Sequence, residues 1–125
     1  MKKRVKTAFG EYLVQLIKEA GISQEEFYTS VKIAKPYFYD LLHATPPPID
    51  LQDKMIGFLV KGTIPTDEEK RRKFYDLAAQ GRNEIPADIY KFIISHPDNM
   101  NDIRSALIPL FNITELRRDS YGSIK

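Results

Sequence analysis

Apolar residues recur along this chain with a helical period and almost nowhere with an alternating one. Phe9, Leu13, Leu16, Ile17 and Ala20 stand at i, i+4, i+7, i+8 and i+11, the stripe of an amphipathic helix that stops before Gly21. Ser23 and Glu26 then form a capping box for a short second helix over residues 24–30, with Phe27 and Val31 inward. A third helix is predicted from about Ala34 to His43. Pro36 is tolerated in its first turn, where backbone nitrogens have no intrahelical acceptor to lose. Phe38, Leu41 and Leu42 share its inward face, and Pro46, Pro47 and Pro48 bar its continuation.

Asp50 is read as the cap of a fourth helix, with Leu51, Met55, Ile56 and Leu59 inward and an end near Gly62. Thr66 with Glu69 suggests a second capping box, opening a fifth helix that ends at Gly81. Along it, Glu68 with Arg72 and Glu69 with Lys73 sit at i, i+4 in the favourable order, so the basic run 70–73 reads as a solvated helix face, the sharper alternative being a basic patch touching phosphate. Ile85, Ile89, Phe92 and Ile93 mark a sixth helix. Asn101–Phe111, bearing Ile103, Leu107 and Leu110, marks a seventh, and the tail "RRDSYGSIK" is expected to fray. The pattern predicts an all-α protein, a helical domain over residues 1–81 and a helical segment over 82–125.

Composition narrows this picture. With 125 residues the chain holds one domain, or a small domain plus an appended segment, and buries enough surface to fold without staples. It has no cysteine, which excludes disulfides, thiolate nucleophiles and cysteine-ligated zinc and makes a reducing cytoplasm the expected home. The basic start "MKKRVK" is like that of a secretory signal, but Glu11, Gln15 and Lys18 interrupt the apolar stretch, so a mature N-terminus is expected. No apolar run approaches the roughly 18 residues a membrane span needs.

Net charge is only +2. Residues 1–62 carry nine basic and seven acidic side chains and residues 63–125 ten of each, so Lys2, Lys3, Arg4 and Lys6 supply the excess. Catalytic signatures are missing: there is no Gly-rich phosphate loop, nucleophile elbow or apolar carboxylate pair. His43 and His96 stand in unrelated contexts and read as surface or capping histidines. No enzyme activity, metal or cofactor is expected, and no pocket signature for a small molecule is visible.

Residues 23–42 read as helix, tight turn, helix, with a longer helix before and another after. The run "FGEYLVQLIKEAGISQEEFYTSVKIAKPYFYDLL", followed by the Pro-rich link, resembles the phage-repressor and Cro-like (xenobiotic-response-element type) family of helix-turn-helix regulators over residues 9–60. "LAAQGRNEIPADIYKFI" is similar to the segment after such domains in small bacterial and mobile-element regulators, which widens the resemblance to about residues 7–97. It implies a five-helix repressor-like helix-turn-helix DNA-binding domain with a C-terminal helical extension.

By that resemblance Ser23 and Gln24 match the phosphate-holding start of the first short helix. Ala34, Lys35, Pro36, Tyr37 and Tyr39 match the face that enters the major groove. Lys32 in the turn, with His43 and Thr45 at the far end, completes the candidate DNA-contacting set. The chain departs from the family where Lys32 replaces a common small residue, where Ala34 replaces a capping serine, and where Tyr39 replaces a small polar residue. It departs again at Leu42–Thr45, where the family often has an acidic residue, a glycine and arginines.

Bland readings stand beside these. Phe38 is core, Tyr37 is core or surface, Tyr39 lies off the apolar face, and Lys35 can be an ordinary surface lysine. Tyr12, Tyr28 and Tyr75 read as core edges, and Asp40 as an acid that pairs with a nearby base or caps a neighbouring amide. The expected function is a sequence-specific DNA-binding regulator, a repressor acting on a two-fold operator as a homodimer. Ile89, Phe92, Ile93, Leu107, Leu110 and Phe111 are the candidate dimer surface. The alternative is the same fold reused to bind protein, as an antirepressor or partner-inhibiting module.

Overall fold

The computed structural model of the protein describes residues 4–61 and 65–110. Among these, seven α-helices and no strand occur: α1 (Ala8–Glu19), α2 (Gln24–Ser30), α3 (Lys35–His43), α4 (Ile49–Leu59), α5 (Pro65–Arg82), α6 (Ala87–Ile94) and α7 (Met100–Leu107). Short 3₁₀ turns cover Pro97–Asn99 and Ile108–Leu110. The protein is all-α, as the periodicity predicts. No helix among the described residues is long and apolar enough to cross a membrane. The chain divides into two compact units, the first ending at Ile89 and the second beginning at Tyr90. The first therefore extends eight residues past the boundary expected at Gly81, because the start of α6 contributes the buried Ala87 to its core.

The core of the first unit forms where the helical stripes meet. Phe9, Leu13, Leu16 and Ile17 of α1 are buried together with Tyr12, while Ala20, which the stripe included, is the exposed C-cap. Phe27 is wholly buried, its ring centroid 5.9 Å from that of Phe38 and 6.0 Å from that of Phe58. Phe9 meets Phe74 of α5 at 5.2 Å, and Tyr28 meets Phe38 at 5.3 Å. Tilted aromatic pairs at these separations add about 0.5–1.5 kcal/mol each beyond the area they bury.

The glycine of the Phe-Gly pair has a packing reason. A Cβ on Gly10 would fall on the Leu42 carbonyl, whose carbon would lie 2.7 Å away, so only glycine lets α1 approach the end of α3. Thr7, the N-cap of α1, fastens the same contact. Its hydroxyl accepts from the Gly10 amide and its own amide donates to the Leu42 carbonyl at 3.0 Å.

After α3 the proline run turns inward. Pro46 and Pro47 are fully buried. Proline has no N–H, so burying it leaves only carbonyls to satisfy. Gln52 Nε2 donates to the Pro47 carbonyl at 2.8 Å, and Arg82 Nη1 donates to the Pro46 carbonyl at 3.0 Å. Gly81 matters here rather than as a helix stop: a Cβ there would meet Pro46 Cγ at 2.5 Å.

Several helix boundaries differ from the sequence reading: α4 ends at Leu59, Ile85 precedes α6, and α7 ends at Leu107, leaving Leu110 in a 3₁₀ turn. Asp50 lies inside the first turn of α4, whose N-cap is Pro48, so the carboxylate complements the helix dipole without capping. α5 starts at Pro65, which places Thr66 within its first turn and not before it. That helix passes through Gly81 to Arg82 and closes at Asn83, which takes φ 58 while Glu84 N–H reaches back to the Ala79 carbonyl. The sequence pattern favoured Gly81 because glycine usually fills that left-handed position. Asparagine is the residue that tolerates it next best.

Candidate nucleic-acid interface

The unit α2–connection–α3 is built by its caps. Ser23 Oγ accepts from the Glu26 amide at 3.0 Å and starts α2, with Glu25 and Glu26 in the first turn. At the other end Val31 is buried, Lys32 adopts φ 63, and two hydrogen bonds close the turn. Lys32 N–H donates to the Thr29 carbonyl and Ile33 N–H to the Tyr28 carbonyl. This is a Schellman closure. It is the same device that ends α1 at Gly21, which has φ 76, through the Gly21–Lys18 and Ile22–Ile17 bonds. At Lys32 a non-glycine residue carries the left-handed conformation, which costs it about 1–2 kcal/mol. The connection therefore keeps the shape a glycine would give it.

Ala34 is the N-cap of α3 and makes no side-chain cap bond, as expected of an alanine. Phe38, Leu41 and Leu42 are buried, and Lys35, Pro36, Tyr37, Tyr39 and Asp40 are exposed. Tyr37 was open between core and surface; at 41% exposure it belongs to the outward face, as does Tyr39 at 47%. Tyr12 and Tyr75 are buried and Tyr28 is half-buried, consistent with core edges. Ser23, Gln24, Lys32 and Thr45 are exposed and His43 is half-buried. The Ser23 hydroxyl is already engaged by α2.

The far half of the α3 face holds a cluster. His43 Nδ1–H donates to the Tyr39 carbonyl at 2.8 Å, and the two rings lie 4.1 Å apart. His96 does the same at the end of α6, with Nδ1 2.7 Å from the Phe92 carbonyl and rings 4.2 Å apart. Both histidines are capping groups that stack on the residue one turn back. On the other side of Tyr39, the Arg4 guanidinium lies 5.7 Å from the ring centroid and donates to Asp40 Oδ1 at 2.9 Å. Arg4 thus joins the outward cluster of α3, a contact that the motif reading missed. The sequence signals that could have found it are the basic run "MKKRVK" and Asp40, an acid in an otherwise apolar helix that suits either a base or an amide.

The basic run of α5 is used within the first unit. Lys70 pairs with Glu19 at 3.4 Å, and Arg71 pairs with Glu68 at i, i+3 and donates to the Val60 carbonyl. The Lys73 ammonium lies 4.6 Å from the Tyr12 ring centroid. The expected i, i+4 pairs of Glu68 with Arg72 and Glu69 with Lys73 thus give way to contacts that tie α5 to the core. Glu19 is held below its ordinary value by the Gln15 amide first and then by Lys70. Tyr75 donates to Asp53 at 2.7 Å. Burial, and then that carboxylate, push its hydroxyl well above the ordinary tyrosine value.

Of the candidate dimer residues, Ile89 closes the first unit and is exposed. Phe92, Leu107 and Leu110 in the second unit are exposed, and Ile93 is half-buried. Phe111 lies outside the described residues, as does the tail. The second unit also presents Ile94 and Ile108 to solvent and holds a groove of about 320 Å³ bordered by Phe92, His96, Ile103 and Ala106.

No family model, curated protein or solved structure matches this chain. The resemblance to helix-turn-helix regulators therefore rests on the quoted residues themselves.

Proposed function

We propose that the protein is a sequence-specific DNA-binding transcriptional regulator, a repressor, with a five-helix repressor-like helix-turn-helix domain whose α3 enters the major groove. The observation that carries this reading is the division of α3. Phe38, Leu41 and Leu42 anchor it in an aromatic core, while Lys35, Tyr37 and Tyr39 stand outward on a helix held between two defined turns. A rigid helix with an exposed lysine in its first turn suits base reading, since a lysine donates to guanine O6 and N7. Exposed tyrosines add hydroxyl donors for phosphate and ring contacts for thymine methyls.

One helix of this length reads only a few base pairs, so the same reading calls for a homodimer on two half-sites about one DNA turn apart. The exposed apolar side chains of the second unit, Phe92, Leu107 and Leu110 foremost, supply a surface for it.

Selection of bound duplexes from a random pool tests the reading. Enrichment of a two-fold-related motif is expected, and Lys35→Ala should weaken binding to the selected duplex by about 1–3 kcal/mol with relaxed preference at one base position. A pool that shows no enrichment would overturn it. Light scattering should give a dimer, and Phe92→Asp should give a monomer. A wild-type monomer at high micromolar concentration contradicts the dimer.

A second reading, the same fold used to bind protein, is favoured by one observation. Asp40 stands on the outward face and occupies the guanidinium of Arg4, and the link directly after α3, residues 44–48, holds no arginine. A partner protein captured through Tyr37 and Tyr39, with no DNA affinity, would be its result.

A further inference from the structure

Resting on the DNA-binding reading, we propose that the chain's own N-terminal arm supplies the grip on the DNA backbone that the segment after α3 lacks, and that Asp40 holds Arg4 in reserve for it. Leu42, His43, Ala44 and Thr45 carry no arginine or lysine, so α3 leads into a link without a cation. Arg4 and Thr7 both bond to that same helix. Arg4 donates to Asp40 at 2.9 Å, three residues later Thr7 N–H donates to the Leu42 carbonyl at 3.0 Å, and the hydroxyl of Thr7 caps α1. Residues 4–7 thus run beside the outward, C-terminal half of α3, with Arg4 and Lys6 both exposed.

An exposed Arg–Asp pair adds little to stability, whereas a phosphate accepts from a guanidinium in a bidentate, doubly charge-assisted contact. Arg4 can therefore exchange Asp40 for a phosphate at little cost. The carboxylate left behind opposes the incoming backbone and acts as a brake on affinity. Lys6, in the same segment, adds a second cation. Arg4 and Lys6 thus bring two of the chain's basic residues to this side of α3.

The exchange makes opposite predictions for the two partners of one ion pair. Arg4→Gln and Asp40→Asn are titrated by fluorescence anisotropy against a mixed-sequence duplex between about 50 and 200 mM salt, the range over which phosphate contacts dominate. Arg4→Gln should weaken binding and make the log–log salt slope about 0.9 less negative, the value of one phosphate contact. Asp40→Asn should tighten binding at every salt concentration. Both side chains are exposed, so melting curves should overlay the wild type, and the binding changes then report on contacts.

Wild-type salt dependence combined with unchanged slope in Arg4→Gln, or with weaker binding in Asp40→Asn, would overturn the arm and leave the DNA reading standing. A wild-type protein with no affinity for the duplex would overturn both.

Discussion

Lys32→Gly tests the connection that sets the angle of α3. Lys32 holds φ 63, and its side chain is exposed. Removing its Cβ relieves about 1–2 kcal/mol of left-handed backbone strain. Glycine gives back about 0.4–1 kcal/mol through the greater freedom of the unfolded chain. No buried contact is lost, so the net effect is a gain of about 0.5–1 kcal/mol, the difference of those two magnitudes. For a first unit ending at Ile89 this corresponds to a rise in Tm of about 2–8 °C.

Urea denaturation followed by circular dichroism measures it as an increase in midpoint at unchanged slope. The complementary variant, Lys32→Val, puts a β-branched side chain where it fits least and should lower the midpoint. A Lys32→Gly protein no more stable than wild type would refute the left-handed Schellman closure and the placement of α3 that depends on it.

Gly10→Ala would drive a methyl group into the Leu42 backbone, which cannot move without separating α1 from α3. A loss of about 3 kcal/mol, the upper end of overpacking costs, is expected in the same denaturation assay. Tyr75→Phe removes the hydrogen bond to Asp53 and should cost about 1 kcal/mol at neutral pH. Because the folded state raises the Tyr75 pKa above 10.0, its stabilising contribution is fully present below pH 10.0 and is lost as pH rises beyond it. Tyr75→Phe should therefore show a shallower alkaline loss of stability than wild type, as urea midpoints measured across that range would show.

Much of the helical order was legible because burial obeys the 3.6-residue period. The stripe of α1 and the split of α3 into Phe38, Leu41, Leu42 and an opposite polar face follow from spacing alone. Capping residues were less informative where several elements competed for them. Gly81 looks like a stop, and its actual role, clearance for Pro46, depends on a contact across 35 positions that no local pattern encodes. The buried proline pair was equally hidden. Its partners Gln52 and Arg82 are ordinary polar residues in sequence, and only the folded chain brings them to carbonyls.

At the candidate site, the motif located α2, the turn and α3, and the outward position of Tyr39 follows from phase. Arg4 was not locatable that way, since it lies in a segment without periodicity and reaches Asp40 only through the Thr7–Leu42 anchor. The basic run of α5 misled in the other direction. Charges four apart suggest pairs along the helix, whereas Lys70, Arg71 and Lys73 find partners on α1, at Val60 and within one turn.

The central claim is that α3 reads DNA. Its most direct test is the salt dependence of binding to a selected duplex beside a scrambled duplex of equal length and composition. If α3 enters the groove, both duplexes give a log–log slope corresponding to several phosphate contacts, and the selected sequence has a large affinity advantage. Equal affinity for the two duplexes, with no dependence on salt, would contradict it.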